Sequence, residues 1–499
     1  MSNGSGQWAG RIVSAFASKW AWRIVLGGFI AESLWLVFSA QYPMAFDENY
    51  HFGLIQLHAQ QWLPFFTSQP DDVGQYGALV RDPSYLFHWI MSFPYRFIAL
   101  FTDSQAAQVI FLRLFNVAFF AYGLVLYRKV VARLGVSAAL SNALLAVFIL
   151  IPVVPFLAAH INYDNLLLIS VPLAVLLTLD LMDGFKRRKV EAGTLLALIA
   201  LLLASSLIKY PFLPVFVVIA IVLLWRLWRD GLLNRAGWQS FAGSFGKLSR
   251  VTQIALVLAC LLSFGLFAER YAINVVRYHD PVPACDKVIS LQLCREYGPF
   301  GRDYNYVQHK SPNFTPDVPW YVWQWFRGMW HRLFFAIAHT YANEPPLFVI
   351  SRLAIALVVL GVIGVAARFR AIFAGQRARQ LVLWVILGYV VVLFLDGLSA
   401  YAKTGVAVAI NGRYLIPFMP FGFALAGLAW SQLLRKWLSV KAMLAALVIA
   451  VFILQGGGTT TFIVRSQDWW FWNNSAVRSV NRAVRDAVSP VIIGKDIKG

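Results

Sequence analysis

Long apolar stretches separated by short polar ones make up most of the chain. Apolar runs of about 17–22 residues recur from end to end, each long enough to cross a hydrocarbon core of about 30 Å as a helix. They predict spans near 24–40, 106–127, 137–157, 164–182, 192–208, 211–228, 252–270, 346–366, 381–397, 414–430 and 442–458, about eleven in all. None has the two-residue alternation of a barrel strand, and an open sheet would leave backbone groups unpaired in lipid. The expected fold is therefore an all-α polytopic membrane protein.

Two long polar segments interrupt the pattern, 41–105 and 271–345. The first contains "SYLFHWIMSFPYRFIALF" (84–101), which is nearly a span. Prolines and polar residues break it and no basic segment follows, so it reads as a helix lying in the membrane interface. The second carries "WYVWQWFRGMWHRLFF" (320–335), a density of Trp and aromatic residues typical of a headgroup boundary.

Composition agrees with the pattern. Of 499 residues, 59% are hydrophobic and 13% charged, about half the charge of a soluble protein. The net charge of +20 does not point to nucleic acid, because the basic residues cluster between spans, where orientation and anionic lipid headgroups account for them. With a cytoplasmic N-terminus, alternation puts Arg128–Lys129–Arg133, "KRRK" (186–189), 226–250, 368–379 and 435–441 inside. Both long polar segments then face outward, as does the basic amphipathic tail "VRSVNRAVRDAV" (477–488), unless one span is miscounted. No cleavable signal peptide is expected. Cys260 falls in an apolar run, whereas Cys285 and Cys294 share the second polar segment and are expected to pair on an oxidising face.

The candidate chemistry falls on that outward side. In "FDENYHF" (46–52), Asp47 and His51 are four apart and share one face of a helix, with Glu48 pointing elsewhere. A carboxylate beside an imidazole makes a general base or a metal-ligand pair, and a polar cap on a span fits equally. "HINYDNLLL" (160–168) crowds His160, Asn162, Asp164 and Asn165 at a turn, where Asp164 also serves as a helix cap. Lys209 in "SLIKYPFLP" (206–214) interrupts two apolar runs, either snorkelling or meeting an anion such as a lipid phosphate. Arg413 in "AINGRYLIPFMP" (409–420) opens a span beside a glycine and suits bidentate phosphate recognition or simple anchoring. No HExxH, CxxC pair, Walker loop or GxSxG is present, and no nucleotide-binding domain, which argues against an ATP-driven pump.

In this order the motifs resemble the GT-C superfamily of membrane glycosyltransferases, which use polyprenyl-phosphate sugars. The sequence is similar to the aminoarabinose-transferase and protein-mannosyltransferase-like group, and to uncharacterised membrane proteins with the same DE–H, YD, KY and GRY signposts. The likeness is carried by "DE" with "HF", "RDPSYLFHWIMSFPYRFIALF", "LRLFNVAFFAYGLVLYRKVVARLG", "INYDNLLL", "LIKYPFLP" and "NGRYLIPFMP". The resemblance implies a transmembrane catalytic module over 1–430, with outer loops at 41–105 and 271–345 bearing interfacial helices. A last span and short basic tail follow over 431–499. It implies a multi-pass protein of the cytoplasmic (inner) membrane with its active site on the outer face. There a sugar would pass from a polyprenyl-phosphate donor to a glycan, lipid or protein acceptor, with inversion. Asp47, Glu48 and His51 would be catalytic, and His160, Tyr163, Asp164, Lys209, Tyr210, Arg413 and Tyr414 would bind substrate. The soluble C-terminal domain of some members is missing, no metal ligand is assigned, and a divalent metal is left open. A flippase or transporter of lipid-linked sugars and a ligase of whole glycans are the alternatives. The flippase predicts ionisable residues inside spans, for which Glu32 and Arg113 are the main candidates.

Overall fold

The computed structural model of the protein describes residues 3–44, 47–334 and 348–492. Among these residues it is helical throughout, with a single isolated bridge between Ala40 and Phe471 in place of any sheet. The first helices are α1 (Asn3–Ala17), α2 (Lys19–Ser39), α3 (Glu48–His58), α4 (Leu86–Ala99), α5 (Gln105–Arg133), α6 (Ala138–Ile149), α7 (Val153–Ala158), α8 (Asp164–Lys186), α9 (Ala192–Ile208) and α10 (Leu213–Arg229). Polar caps set several starts: Ser18 Oγ accepts the Ala21 N–H at 3.0 Å to open α2, and Ser137 does the same for α6.

Among the described residues each predicted apolar run lies mostly in helix, although 137–157 is broken into α6 and α7 ahead of Pro152, 414–430 begins in a turn ahead of Met419–Leu433, and 442–458 ends in a turn after Leu454. Among the described residues, six of the helices can cross a membrane by length and composition: Lys19–Ser39, Gln105–Arg133, Asp164–Lys186, Tyr210–Arg229, Arg250–Tyr278 and Arg377–Thr404. Four shorter apolar helices accompany them. In Arg250–Phe267, Ile254, Leu258, Leu261 and Leu262 are 60, 51, 62 and 66% exposed, a surface that water would not tolerate and lipid tails would. The protein is an integral, multi-pass membrane protein. The stretch at 84–101 yields α4, too short to span, with Phe87, His88 and Met91 buried and Phe97 and Phe101 exposed.

Helices α5 and α8 form the middle of the bundle. They approach closely at Gly123, where a Cβ would lie 2.6 Å from the Leu168 carbonyl oxygen, so only glycine fits. The basic segments gather at one end. There Arg133 pairs with Asp180 at 2.6 Å, Arg377 with Asp230 at 3.0 Å, and Arg379 donates to the Leu134 carbonyl at 2.9 Å. The starts of α5 and α8, the ends of α2 and α9, and α3 meet at the other end. The tail helix Ser475–Val488 joins them: its Asn481 amide donates to Ser39 Oγ at 3.2 Å at the end of α2. It therefore lies at the end of the molecule that holds Asp47. His339 and the rest of 335–347 fall outside the described residues.

Candidate active site

Four of the sequence-predicted residues form one row at this end. Asp47 precedes α3 in the left-handed region (φ 64°), a conformation that aspartate and asparagine tolerate better than most residues. Asp164 opens α8, Lys209 follows the last turn of α9, and Arg413 sits in the turn Gly412–Leu415. Arg413 Nη2 donates to Asp47 Oδ2 at 3.1 Å, and Arg413 Nε lies 3.8 Å from Asp164 Oδ2. Lys209 Nζ donates to Asp164 Oδ1 at 2.5 Å. Acid and base alternate from Asp47 through Arg413 and Asp164 to Lys209. The last three side chains are 6, 3 and 4% exposed, whereas that of Asp47 is 67% exposed.

Aromatic rings and local turns hold the row in place. The Lys209 ammonium lies 4.4 Å from the centre of the Tyr163 ring and 4.6 Å from that of Tyr414, an attractive arrangement in a dry setting. The Asp164 N–H donates to Asn162 Oδ1 at 2.8 Å, and Asn165 Nδ2 donates to Asn116 Oδ1 at 3.0 Å, tying this turn to α5. In the 409–420 motif, Asn411 Oδ1 accepts the Arg413 N–H at 3.1 Å. A Cβ on Gly412 would lie 2.1 Å from the Met329 carbonyl, so this glycine admits the aromatic helix Val318–Phe334. That helix also carries Arg332, which the sequence did not single out; burial and the nearby Arg413 charge lower its pKa. Burial alone would lower Arg413 as well, but Tyr414, Asp164 and Asp47 overcome it and keep the guanidinium firmly charged.

Glu48 has a different setting. Its side chain is fully buried against that of Arg113, receiving Nε at 2.8 Å and Nη2 at 2.7 Å. The N–H groups of Met44 and Ile161 donate to it at 2.8 and 3.2 Å. Arg113 also donates to the Ala40 carbonyl at 2.6 Å, closing the end of α2 onto α5. Burial would raise the Glu48 carboxyl, but Arg113 outweighs it and holds the pKa below its usual value. His160 stands beside this brace, its ring bonded to the Phe156 carbonyl; burial pushes its pKa down to about 4.

The Asp47–His51 partnership expected from their spacing is replaced by another. Asp47 turns to Arg413, while His51 Nδ1 lies 2.9 Å from His88 Nε2 and its ring meets the edge of Tyr163 at 4.6 Å. The spacing assumed a helix through both residues, whereas α3 begins only after Asp47. Burial, then His88, holds the His51 pKa well below normal, so the ring is neutral. Tyr210 stays 42% exposed, its backbone N–H donating to Ser84 Oγ at 3.1 Å. Cys285 and Cys294 are joined, S–S 2.12 Å. Among the described residues no cluster of three or more His, Cys, Asp or Glu side chains is arranged to hold a metal ion.

No family model matches the chain, and no curated protein does. Among solved structures it is similar to ArnT from Cupriavidus metallidurans, crystallised with undecaprenyl phosphate. That likeness has a TM-score of 0.42 at 14% identity and covers 95% of this chain and 70% of that one.

Proposed function

We propose that the protein is a GT-C-type glycosyltransferase that moves a sugar from a polyprenyl-phosphate donor to an acceptor hydroxyl on the outer face of the membrane. The observation that carries this reading is the pair of cations in the row. Arg413 and Lys209 are buried side by side on Asp164, and Arg413 reaches Asp47 as well. Two buried cations suit the phosphate of a phosphodiester, and they sit beside one exposed carboxylate.

In this reading Lys209 and Arg413 hold the donor phosphate and stabilise the charge that grows on it as the sugar leaves. Asp47 accepts the proton of the acceptor hydroxyl. The hydroxyl oxygen bonds to the anomeric carbon, the bond from that carbon to the phosphate oxygen breaks, and the polyprenyl phosphate departs with the electron pair. A single displacement inverts the anomeric centre. When Arg413 turns to the phosphate it releases Asp47, so donor binding frees the base. Tyr163 and Tyr414 position Lys209, and His51 supports Tyr163 instead of Asp47. Glu48 and His160 form the wall behind. The acceptor class and any divalent metal are open to the same assay.

The competing flippase needs ionisable residues lining a path through the spans. Of its two candidates, Arg113 is fully engaged by Glu48 and by backbone carbonyls, leaving Glu32. The purified protein with polyprenyl-phosphate sugars and acceptors should release polyprenyl phosphate in step with product. Saturable movement of intact donor across liposomes without release would overturn the assignment.

A further inference from the structure

The two long polar segments meet around a carboxylate that takes no part in the row above. Asp82 lies between α3 and α4; its Oδ1 accepts the Ser84 N–H at 2.8 Å. Among the described residues no basic side chain reaches salt-bridge distance of it, and none donates to its second oxygen. The loop that carries it is pinned. Arg270, fully buried, donates to the carbonyls of Val80 at 2.6 Å and Phe66 at 3.2 Å, and Asn274 donates to that of Arg81 at 3.1 Å. Ser84 is held in turn by Tyr210. These bonds fix the backbone around Asp82 and leave its carboxylate free.

The facing wall comes from the disulfide-closed segment. Beyond Cys294, Glu296 and Tyr297 lie against glycines of the Asp82 loop. A Cβ on Gly74 would be 2.3 Å from a Glu296 carboxylate oxygen, and one on Gly77 3.1 Å from the Tyr297 ring. The Tyr297 ring lies 5.9 Å from that of Tyr50. The Tyr297 ring against Gly77 and the Tyr210 N–H on Ser84 bring both tyrosines to the Asp82 loop. Tyr210 follows Lys209 directly, and Tyr50, three residues after Asp47, lies beside Tyr297. The Asp82 loop thus borders the row near both Lys209 and Asp47. Burial raises the Asp82 carboxyl despite the nearby Arg270.

A carboxylate with an open oxygen, on a loop flanked by tyrosines, repels phosphate and is costly beside a lipid chain. It does suit a polyhydroxylated ring: the carboxylate accepts hydroxyls, phenols add donors, and their faces cover the C–H surfaces. We infer that Asp82, together with Tyr297 and Tyr210, forms the subsite that grips the hydroxyls of the donor's sugar ring. The inference rests on the glycosyltransferase reading.

The test compares binding of undecaprenyl phosphate alone with binding of undecaprenyl-phosphate sugars (glucose, galactose, mannose and a pentose) to the purified protein. The wild type should prefer at least one sugar-bearing lipid. Asp82→Asn keeps an acceptor for the Ser84 N–H and so preserves the loop; it should erase about tenfold of that preference while leaving affinity for bare undecaprenyl phosphate unchanged. Tyr297→Phe, which keeps the ring and removes the hydroxyl, should lose about threefold. Full preference in both variants overturns the subsite alone. A wild type that binds undecaprenyl phosphate without preferring any sugar-bearing form also overturns it. A wild type that binds neither lipid overturns the glycosyltransferase reading, and the subsite with it.

Discussion

Glu48 has no exposed side-chain surface and receives four hydrogen bonds, two from Arg113 and two from backbone N–H groups. Asp47, one residue earlier, is 67% exposed and is held by Arg413 across the site. Both sit at the same end of the bundle, and both face an arginine. A carboxylate surrounded by four donors has no lone pair left for a substrate proton, and disturbing it opens the joint between α2, α3 and α5. A carboxylate with one movable partner can change partners at little cost to the fold. Adjacent acids in a sequence can thus divide into a brace and a working group according to how many donors converge on each.

The largest effect that would break this division is on catalysis. Asp47→Asn keeps the left-handed backbone, which asparagine also tolerates, and removes the base. Transfer should fall by about 10²–10⁴-fold with the thermal midpoint little changed. Near-normal transfer would exclude Asp47 as the base. The brace should respond the opposite way. Glu48→Leu or Arg113→Met leaves one buried charge unpaired, at a cost of about 3–5 kcal/mol, read as a lower thermal midpoint and a lower yield in detergent. Making both changes should recover much of that loss, since no unpaired charge remains. If either single variant is stable but inactive, Glu48 belongs to the reaction and the division fails. Lys209→Ala removes one charged donor from the proposed phosphate site. It should weaken donor binding by about tenfold or more and acceptor binding far less. Unchanged donor affinity would move the phosphate elsewhere.

Much of this could be read in the sequence because hydrophobic periodicity and basic-residue placement are local signals. The apolar runs, the non-spanning helix at 84–101 and the grouping of basic segments at one end needed only windows of the chain. Asp47, Asp164, Lys209 and Arg413 stood out because charged residues next to apolar runs are costly, and the structure brings them together. What stayed hidden depends on long-range pairing. Arg113 read as a possible transport residue, since nothing local reveals that Glu48 reaches it from 65 positions away. His88 lies in a stretch that looked purely interfacial, yet it takes the His51 bond expected for Asp47. Asp82 belongs to a quoted motif, but its setting is made by Tyr297, Tyr210 and Arg270, which only the fold brings near. The tail helix was ambiguous because amphipathicity alone does not say which end of a bundle it covers.

The smallest predicted effect separates the two regions by pH. Burial pushes the His58 pKa down to about 3, at the end of α3, and that of His160 to about 4, beside the Glu48 brace. Each ring stays neutral in the fold at pH 5.5, whereas in the unfolded chain it takes up protons below its ordinary value of about 6.5. The unfolded state binds more protons, so these groups have no effect above pH 6.5 and increasingly oppose folding as pH falls toward 4. At pH 5.5 each contributes a loss of about 1 kcal/mol. Glu48 does not blur this window: its lowered carboxyl supports the fold above its usual value of 4.5 and loses that effect only at lower pH. Together with His51, these rings should pull the thermal midpoint down between pH 7.5 and 5, a slope that the raised carboxyl of Asp82 offsets in part. His58→Phe, which keeps an aromatic ring against Phe66 at a site where the centroids lie 4.8 Å apart, should flatten part of that slope. Asp47→Asn should leave the slope intact while abolishing transfer. If Asp47→Asn flattens the slope as strongly as His58→Phe does, the open acid is coupled to the folded core after all, and the separation between brace and working group is wrong.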